Sequence, residues 1–346
     1  MAMKERDYVF DASYQPQVRT PRGTSNIMLD VIIALLPALC VGVWAFGMKV
    51  VLLLAVSVCS CVFFEWIYRK LMKKPKSIGD LSACVTGLLM TLVMPVNATW
   101  WMMIIGAFFA IIVVKQLYGG IGKNFINPAL GARAFLLASY SSAMTTWAVP
   151  TALAGQVDAE TMATPLSYLY ADNFTALPDY FSMGNLFLGI RPGSIGEISA
   201  LAILIGFAYL LIRKVITWRI PVSFVGTVAV LCLIFGKSGT GMNHAEWMLY
   251  NVLSGGLLLG AIFMATDYAT SPVTPKGQLI YGIGCGAITV LIRYFGSYAE
   301  GVTYAILLMN LLAFSLDKHT KVRRFGVSKE DEKAEKEAAK KEAKAS

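Results

Sequence analysis

Apolar residues run in stretches too long for the interior of a soluble domain. Ten can be read, at roughly 27–46, 49–68, 80–97, 99–117, 125–143, 197–213, 216–236, 248–266, 278–294 and 302–317. About 20 apolar residues in a helix cross the hydrocarbon core of a bilayer, and in lipid every backbone amide needs a partner within its own segment. An all-α polytopic membrane protein with about ten transmembrane helices is therefore expected. Composition points the same way: 56% of the residues are hydrophobic and 15% charged, where soluble domains average about 45–50% and about 25%. The first 26 residues are polar, so the first apolar run is expected to act as an anchor rather than a cleaved signal. Pro37, Pro95 and Pro221 lie within or at the ends of runs, which membrane helices tolerate.

Lysine and arginine sort strongly by side. With the N-terminus in the cytoplasm, 25 of the 30 fall on the cytoplasmic side. Lys49, Arg191, Lys237 and Arg293 fall outside, and Arg133 is left within the fifth run. Both termini are thus expected in the cytoplasm. Five runs precede the polar stretch 144–196 and five follow it. An odd number of crossings per half inverts one half relative to the other, as in many transport folds. The expected organisation is a tail (1–26), a first five-helix half (27–143), an extracytoplasmic loop (144–196), a second half (197–317) and a charged tail (318–346). The net charge of +9 follows this topology and is no sign of nucleic-acid binding. The six cysteines all lie inside apolar runs without a CxxC pair, which reads as small buried hydrophobes. With two histidines in the whole chain, no haem or multi-histidine metal site is expected.

Three segments and one charge carry candidate chemistry. The first, Asp158-Ala-Glu-Thr161-Met-Ala-Thr164-Pro, lies in the long loop. The proline biases the backbone before it toward extended geometry, which would present the Thr164 hydroxyl. By composition alone it is an ordinary Ser/Thr-containing loop. The second, Tyr118-Gly-Gly120-Ile-Gly-Lys-Asn124-Phe-Ile-Asn127-Pro-Ala, joins the fourth and fifth runs. Its glycines permit close backbone approach, and Asn-Pro can open a helix whose N-terminus favours an anionic group; a tight helix connection is the plainer reading. No Ser or Thr follows Gly122-Lys123, so this is not a P-loop. The third, Phe263-Met-Ala-Thr266-Asp267-Tyr-Ala-Thr-Ser-Pro-Val-Thr-Pro-Lys-Gly, closes the eighth run. Its carboxylate and hydroxyls suit a hard cation, with Asp267 as the ion contact, or a helix terminus and turn. Arg133, ionisable within a span, could pair with an acid or a cofactor carbonyl, or snorkel to the cytoplasm.

These segments, in this order on ten runs, resemble the D subunits of Rnf-type electron transport complexes. They are also similar to the B subunits of sodium-translocating NADH:quinone reductases. The resemblance spans roughly 20–325, and the short N-terminal tail favours the former. The family's attachment pattern, approximately Asp-x-x-Ser/Thr-Gly-Ala-Thr, is matched by Asp158, Thr161, Ala163 and Thr164, with Met162 at the glycine position. The resemblance implies FMN esterified through its phosphate to Thr164, with a noncovalent riboflavin as a further expectation. It implies a ferredoxin:NAD oxidoreductase complex coupled to Na⁺ or H⁺ translocation, with partner subunits handling NAD and ferredoxin and a flavin transferase for maturation. The location implied is a bacterial or archaeal cytoplasmic (inner) membrane, with the flavin loop outside. Gly119–Asn127 and Thr266–Thr274 become candidates for flavin or ion contact. A flavin-free secondary transporter or channel is the alternative that topology alone would allow.

Overall fold

The computed structural model describes residues 23–75, 77–153, 161–171, 177–236, 242–296 and 300–320. Most of the described residues are helical. Helices α1 (Thr24–Phe46) and α2 (Lys49–Leu71) form a hairpin. It turns at Gly47, whose amide makes the last bond of α1, to the Val43 carbonyl, and whose positive φ of 75° redirects the chain after it. Next come α3 (Ser82–Leu92) and α4 (Trp100–Phe108), the latter continuing as a π-helical stretch, Phe109–Gln116. The first half closes with α5 (Pro128–Ser139) and the single turn α6 (Ser141–Met144).

The segment expected as a loop folds into a small lobe. Strands β1 (Trp147–Ala148) and β2 (Thr161–Met162) pair antiparallel, Trp147 opposite Met162. Short helices α7 (Pro165–Leu169) and α8 (Met183–Leu188) follow. Leu153, Met162, Phe181 and Leu186 form the lobe's own apolar core. The chain then enters α9 (Ala200–Ile212), α10 (Arg219–Phe235), α11 (His244–Leu253) and α12 (Leu257–Leu259). A π-helical turn, Gly260–Met264, extends α12. Helices α13 (Pro275–Phe295) and α14 (Val302–His319) complete the described chain.

Among the described residues, three helices are long and apolar enough to cross a membrane, α1, α2 and α13, and four if the bent pair α11–α12 is one span. Shorter apolar helices stand at other expected runs. The third run becomes an 11-residue helix, about 16 Å long against a hydrocarbon core of about 30 Å. The eighth is broken, its halves 61° apart. The break falls at Ser254-Gly255-Gly256, where Gly255 has φ +69°, a conformation that side-chain-bearing residues resist. The fifth run shortens because Asn127 caps α5, accepting from the Ala129 and Leu130 amides, with Pro128 at the first helical position.

Packing repeats between the halves. Helix α2 packs on α3 and α4, and α10 on α11 and α13; α1 and α9 pack on each other. Where α3 ends, the turn ahead of α9 supplies its missing partners: Ile195 N donates to Met94 O at 3.1 Å and Gly196 N to Leu92 O at 2.7 Å. Non-helical backbone is thereby satisfied inside protein. Outward faces carry large apolar side chains, among them Trp44, Phe63, Ile212, Phe235 and Phe314, as a lipid-facing surface would. Cys59 is exposed and Cys61 buried, opposite faces of one helix as their spacing requires.

Candidate functional site

Helix α5 links two clusters. Asn127 caps its start and Arg133 lies six residues further on, about 9 Å along the axis. The α12 segment lies beside it in the opposite sense. Asn127 Nδ2 donates to Met264 O at 3.3 Å, while Gly256, at the other end, lies close to the Arg133 guanidinium.

The first cluster surrounds Thr164. The threonine caps α7: its Oγ1 accepts from Ser167 N at 3.3 Å and lies 2.9 Å from Ser167 Oγ. It is 4% exposed. The sequence suggests an exposed, flexible hydroxyl; the structure buries it, because Pro165, Leu166 and Leu169 are themselves packed inward and carry the threonine with them. Thr164 lines a cavity of about 660 Å³ together with Arg133, Trp147, Tyr170, Arg293 and Glu300. That volume is ordinary for a cofactor site. Thr161 is exposed on β2, and Asp158 lies outside the described residues. Met162, in the glycine position of the attachment pattern, is buried in the lobe's core.

Arg133 does not snorkel. It is 7% exposed, forms an ion pair with Glu300 and reaches Ser194 Oγ at 3.5 Å. Ser194 in turn donates to Glu197 Oε2 at 3.0 Å. Arg191 is fully enclosed, donating to the carbonyls of Ile198, at 2.9 Å, and Glu197. Arg293, which charge counting placed outside, is 2% exposed and gives Nη1 to the Asn251 carbonyl at 2.7 Å. Tyr170 donates to Asn251 Oδ1 at 2.7 Å, and burial pushes its phenol above the ordinary tyrosine value. Sequence reasoning singles out neither Glu300 nor Glu197. A usable signal exists: an arginine within a span needs a counter-charge, and these two acids stand where the sixth and tenth apolar runs begin.

The second cluster gathers the other motif residues. Asn124, Asn127, Thr266 and Asp267 line a cavity of about 100 Å³ with Lys115 and Ser82. A wider one of about 590 Å³ adjoins it and shares Asn124 and Asp267. Thr270 Oγ1 donates to Asp267 Oδ2 at 3.2 Å, and Thr266 Oγ1 returns to the Ile262 carbonyl at 2.5 Å. Gly120 lines neither cavity; it has φ +95°, and a Cβ there would lie 2.9 Å from an Arg69 guanidinium nitrogen. Behind this cluster stands an ion pair that the sequence does not reveal. Lys115, 2% exposed, bonds Glu65 Oε2 at 2.8 Å and Ser82 Oγ at 2.6 Å. Glu65, near the C-terminal end of α2, is fully buried. Among the described residues no group of three or more His, Cys, Asp or Glu side chains is placed to hold a metal ion.

Known proteins match this chain over most of its length. The model of the NQR2, RnfD, RnfE family matches residues 11–326. The D subunit of the Na⁺-translocating ferredoxin:NAD⁺ oxidoreductase complex of Acetobacterium woodii is 48% identical over 319 residues, covering 92% of this chain and 95% of that protein. The D subunit of the proton-translocating ferredoxin:NAD⁺ oxidoreductase complex of Clostridium ljungdahlii is 42% identical, covering 92% and 96%. The D subunit of an ion-translocating oxidoreductase complex of Stutzerimonas stutzeri is 37% identical, covering 88% and 92%. With the family's match spanning nearly the whole chain, this protein belongs to the NQR2, RnfD, RnfE family.

Proposed function

We propose that the chain is the membrane flavoprotein subunit of a ferredoxin:NAD oxidoreductase complex that couples electron transfer to Na⁺ or H⁺ translocation, and that Thr164 carries FMN as a phosphodiester. The observation behind the flavin is the Thr164 cavity. It offers an acceptor hydroxyl, an arginine, Arg293, beyond the Arg133–Glu300 pair, and Trp147, Tyr170 and Tyr294 as aromatic walls. Bound there, FMN supplies one- and two-electron transfer, which is the cofactor's own chemistry. The protein's part is to anchor the phosphate and enclose the ring. Arg133 and Glu300, neutralising each other, hold α5 and the start of α14 together at the cavity wall.

The Asn124–Asp267 cluster is the corresponding place for a noncovalent flavin such as riboflavin or for the coupling ion. Both ions occur in the names of relatives of similar identity, so the name alone does not select one. The repeated packing of α2 on α3 and α4, and of α10 on α11 and α13, supports two inverted five-helix halves and ten membrane passages, some made by half-length helices. Charge distribution supports both termini in the cytoplasm, with the Thr164 lobe on the outer side of the cytoplasmic membrane. Other complex subunits and a flavin transferase are the implied partners.

Intact-mass analysis of the protein co-expressed with a flavin transferase tests the attachment. The Thr164 peptide should gain the mass of an FMN phosphoester, and denaturing gels should fluoresce under ultraviolet light. Thr164→Ala should abolish both and Thr161→Ala neither. A dark, unmodified band beside a modified control protein refutes it. Solute flux by the isolated, flavin-free subunit in liposomes would favour a secondary transporter or channel instead.

A further inference from the structure

Arg293 stands apart from the other buried cations around the Thr164 cavity. Arg133 is matched by Glu300, and Arg191 is satisfied by two backbone carbonyls. Arg293 uses Nη1 on Asn251 alone, at 2.7 Å to the carbonyl and 3.4 Å to Oδ1. Among the described residues its Nε and Nη2 are buried without a hydrogen-bond partner, and it makes no ion pair. A guanidinium does not give up its proton in a protein, and an unpaired one is costly to bury. Such a group calls for an anion.

The cavity supplies the place. Arg293 lines it with Thr164, and the charged lining is two cations, Arg133 and Arg293, against one carboxylate, Glu300. One positive charge is left over, and a phosphodiester carries one negative charge. The local backbone brings the two residues to one spot. A Cβ on Gly255 would lie 3.3 Å from Arg293 Nη2 and 2.5 Å from Leu166 Cδ1, and Leu166 is the second residue of the helix that Thr164 caps. The absence of a side chain at Gly255 leaves the unpaired edge of the guanidinium beside the start of α7.

We infer that Arg293 is the phosphate-holding residue of this site, its free Nε and Nη2 taking the non-bridging oxygens of the phosphodiester on Thr164. This rests on the reading that Thr164 bears FMN. Two parallel N–H donors to one phosphate are the arrangement at which arginine excels and lysine does not. Arg293 is a positioning residue: it fixes the tether and so the ring at its end.

The test uses the whole complex, co-expressed with a flavin transferase, carrying Arg293→Gln or Arg293→Lys. Occupancy is read by intact mass, the phosphate by its ³¹P resonance, and coupling by the rise in Tm that flavinylation brings over the same variant expressed without the transferase. Arg293→Gln should shift the ³¹P resonance and shrink the flavin-dependent rise in Tm, and Arg293→Lys should do both to a lesser extent. If Arg293→Gln does not accumulate, Arg293→Lys carries the same readouts. Full occupancy with an unmoved resonance and an unchanged rise in Tm overturns the role of Arg293 while leaving the flavin in place. Absence of FMN mass from the wild-type Thr164 peptide overturns the underlying reading and this inference with it.

Discussion

The Glu65–Lys115 pair offers the sharpest energetic test of the packing. Lys115→Met removes the ammonium 2.8 Å from Glu65 and leaves a carboxylate whose side chain is 1% exposed. Breaking a buried ion pair from one side typically costs about 3–5 kcal/mol. Here the loss should fall near the lower end, about 3 kcal/mol, because a buried carboxylate with some remaining partners is less costly than an orphan. Those partners are Ser77, which still donates at 2.5 Å, and Arg69 at 3.8 Å. Removing both members with Lys115→Met and Glu65→Leu abolishes the charge altogether, and such replacements are often neutral. The double variant should therefore be more stable than either single one, with a coupling energy of about 2 kcal/mol or more. Equilibrium denaturation of the purified, detergent-solubilised protein, followed by tryptophan fluorescence, measures the cycle. Lys70→Met on the same helix as Glu65 serves as control; it loses only a contact over Trp66 at 4.8 Å, about 0.5–1 kcal/mol. Single variants within about 0.5 kcal/mol of wild type, or strict additivity, would refute the argument.

Four further outcomes are expected. Thr164→Ala removes the cap of α7 as well as the acceptor, costing about 0.5–2 kcal/mol, whereas Thr164→Ser keeps both functions and should remain fluorescent on denaturing gels. Gly206→Val should prevent α1 and α9 from docking, since a Cβ there would meet the Ala34 carbonyl oxygen at 2.2 Å; loss of the monodisperse peak on size exclusion is the readout. Asn127→Ala surrenders two capped amides and the link to Met264, and thermal unfolding should report a loss of about 1 kcal/mol or more. Because burial raises the Tyr170 phenol, the folded protein retains a proton that the unfolded chain releases near pH 10. Its contribution is whole below that pH and declines above it, so Tyr170→Phe should flatten the alkaline fall in Tm.

Much of this protein is legible in its residues alone. Hydrophobic run length requires a membrane protein, because a polar backbone in lipid admits few solutions. The motif pair and the attachment-like segment point to the family to which the chain belongs. Asn127-Pro128 announces a helix start, and the structure caps α5 there. What the sequence does not convey is which distant charges meet. Arg133 and Glu300 are 167 positions apart, and Lys115 and Glu65 are 50 apart; nothing local records either pairing. Run length also overstates the third, fifth and eighth helices, since hydropathy does not distinguish a full crossing from a short helix continued by non-helical backbone buried in protein. Burial of Thr164 is likewise a tertiary decision: the polar loop gains a core of its own around Met162 and Phe181, and closing that core turns an apparently exposed hydroxyl into the wall of a cavity. Local chemistry and periodicity belong to the sequence by itself; the two clusters at either end of α5 exist only because helices from both halves of the chain pack around it.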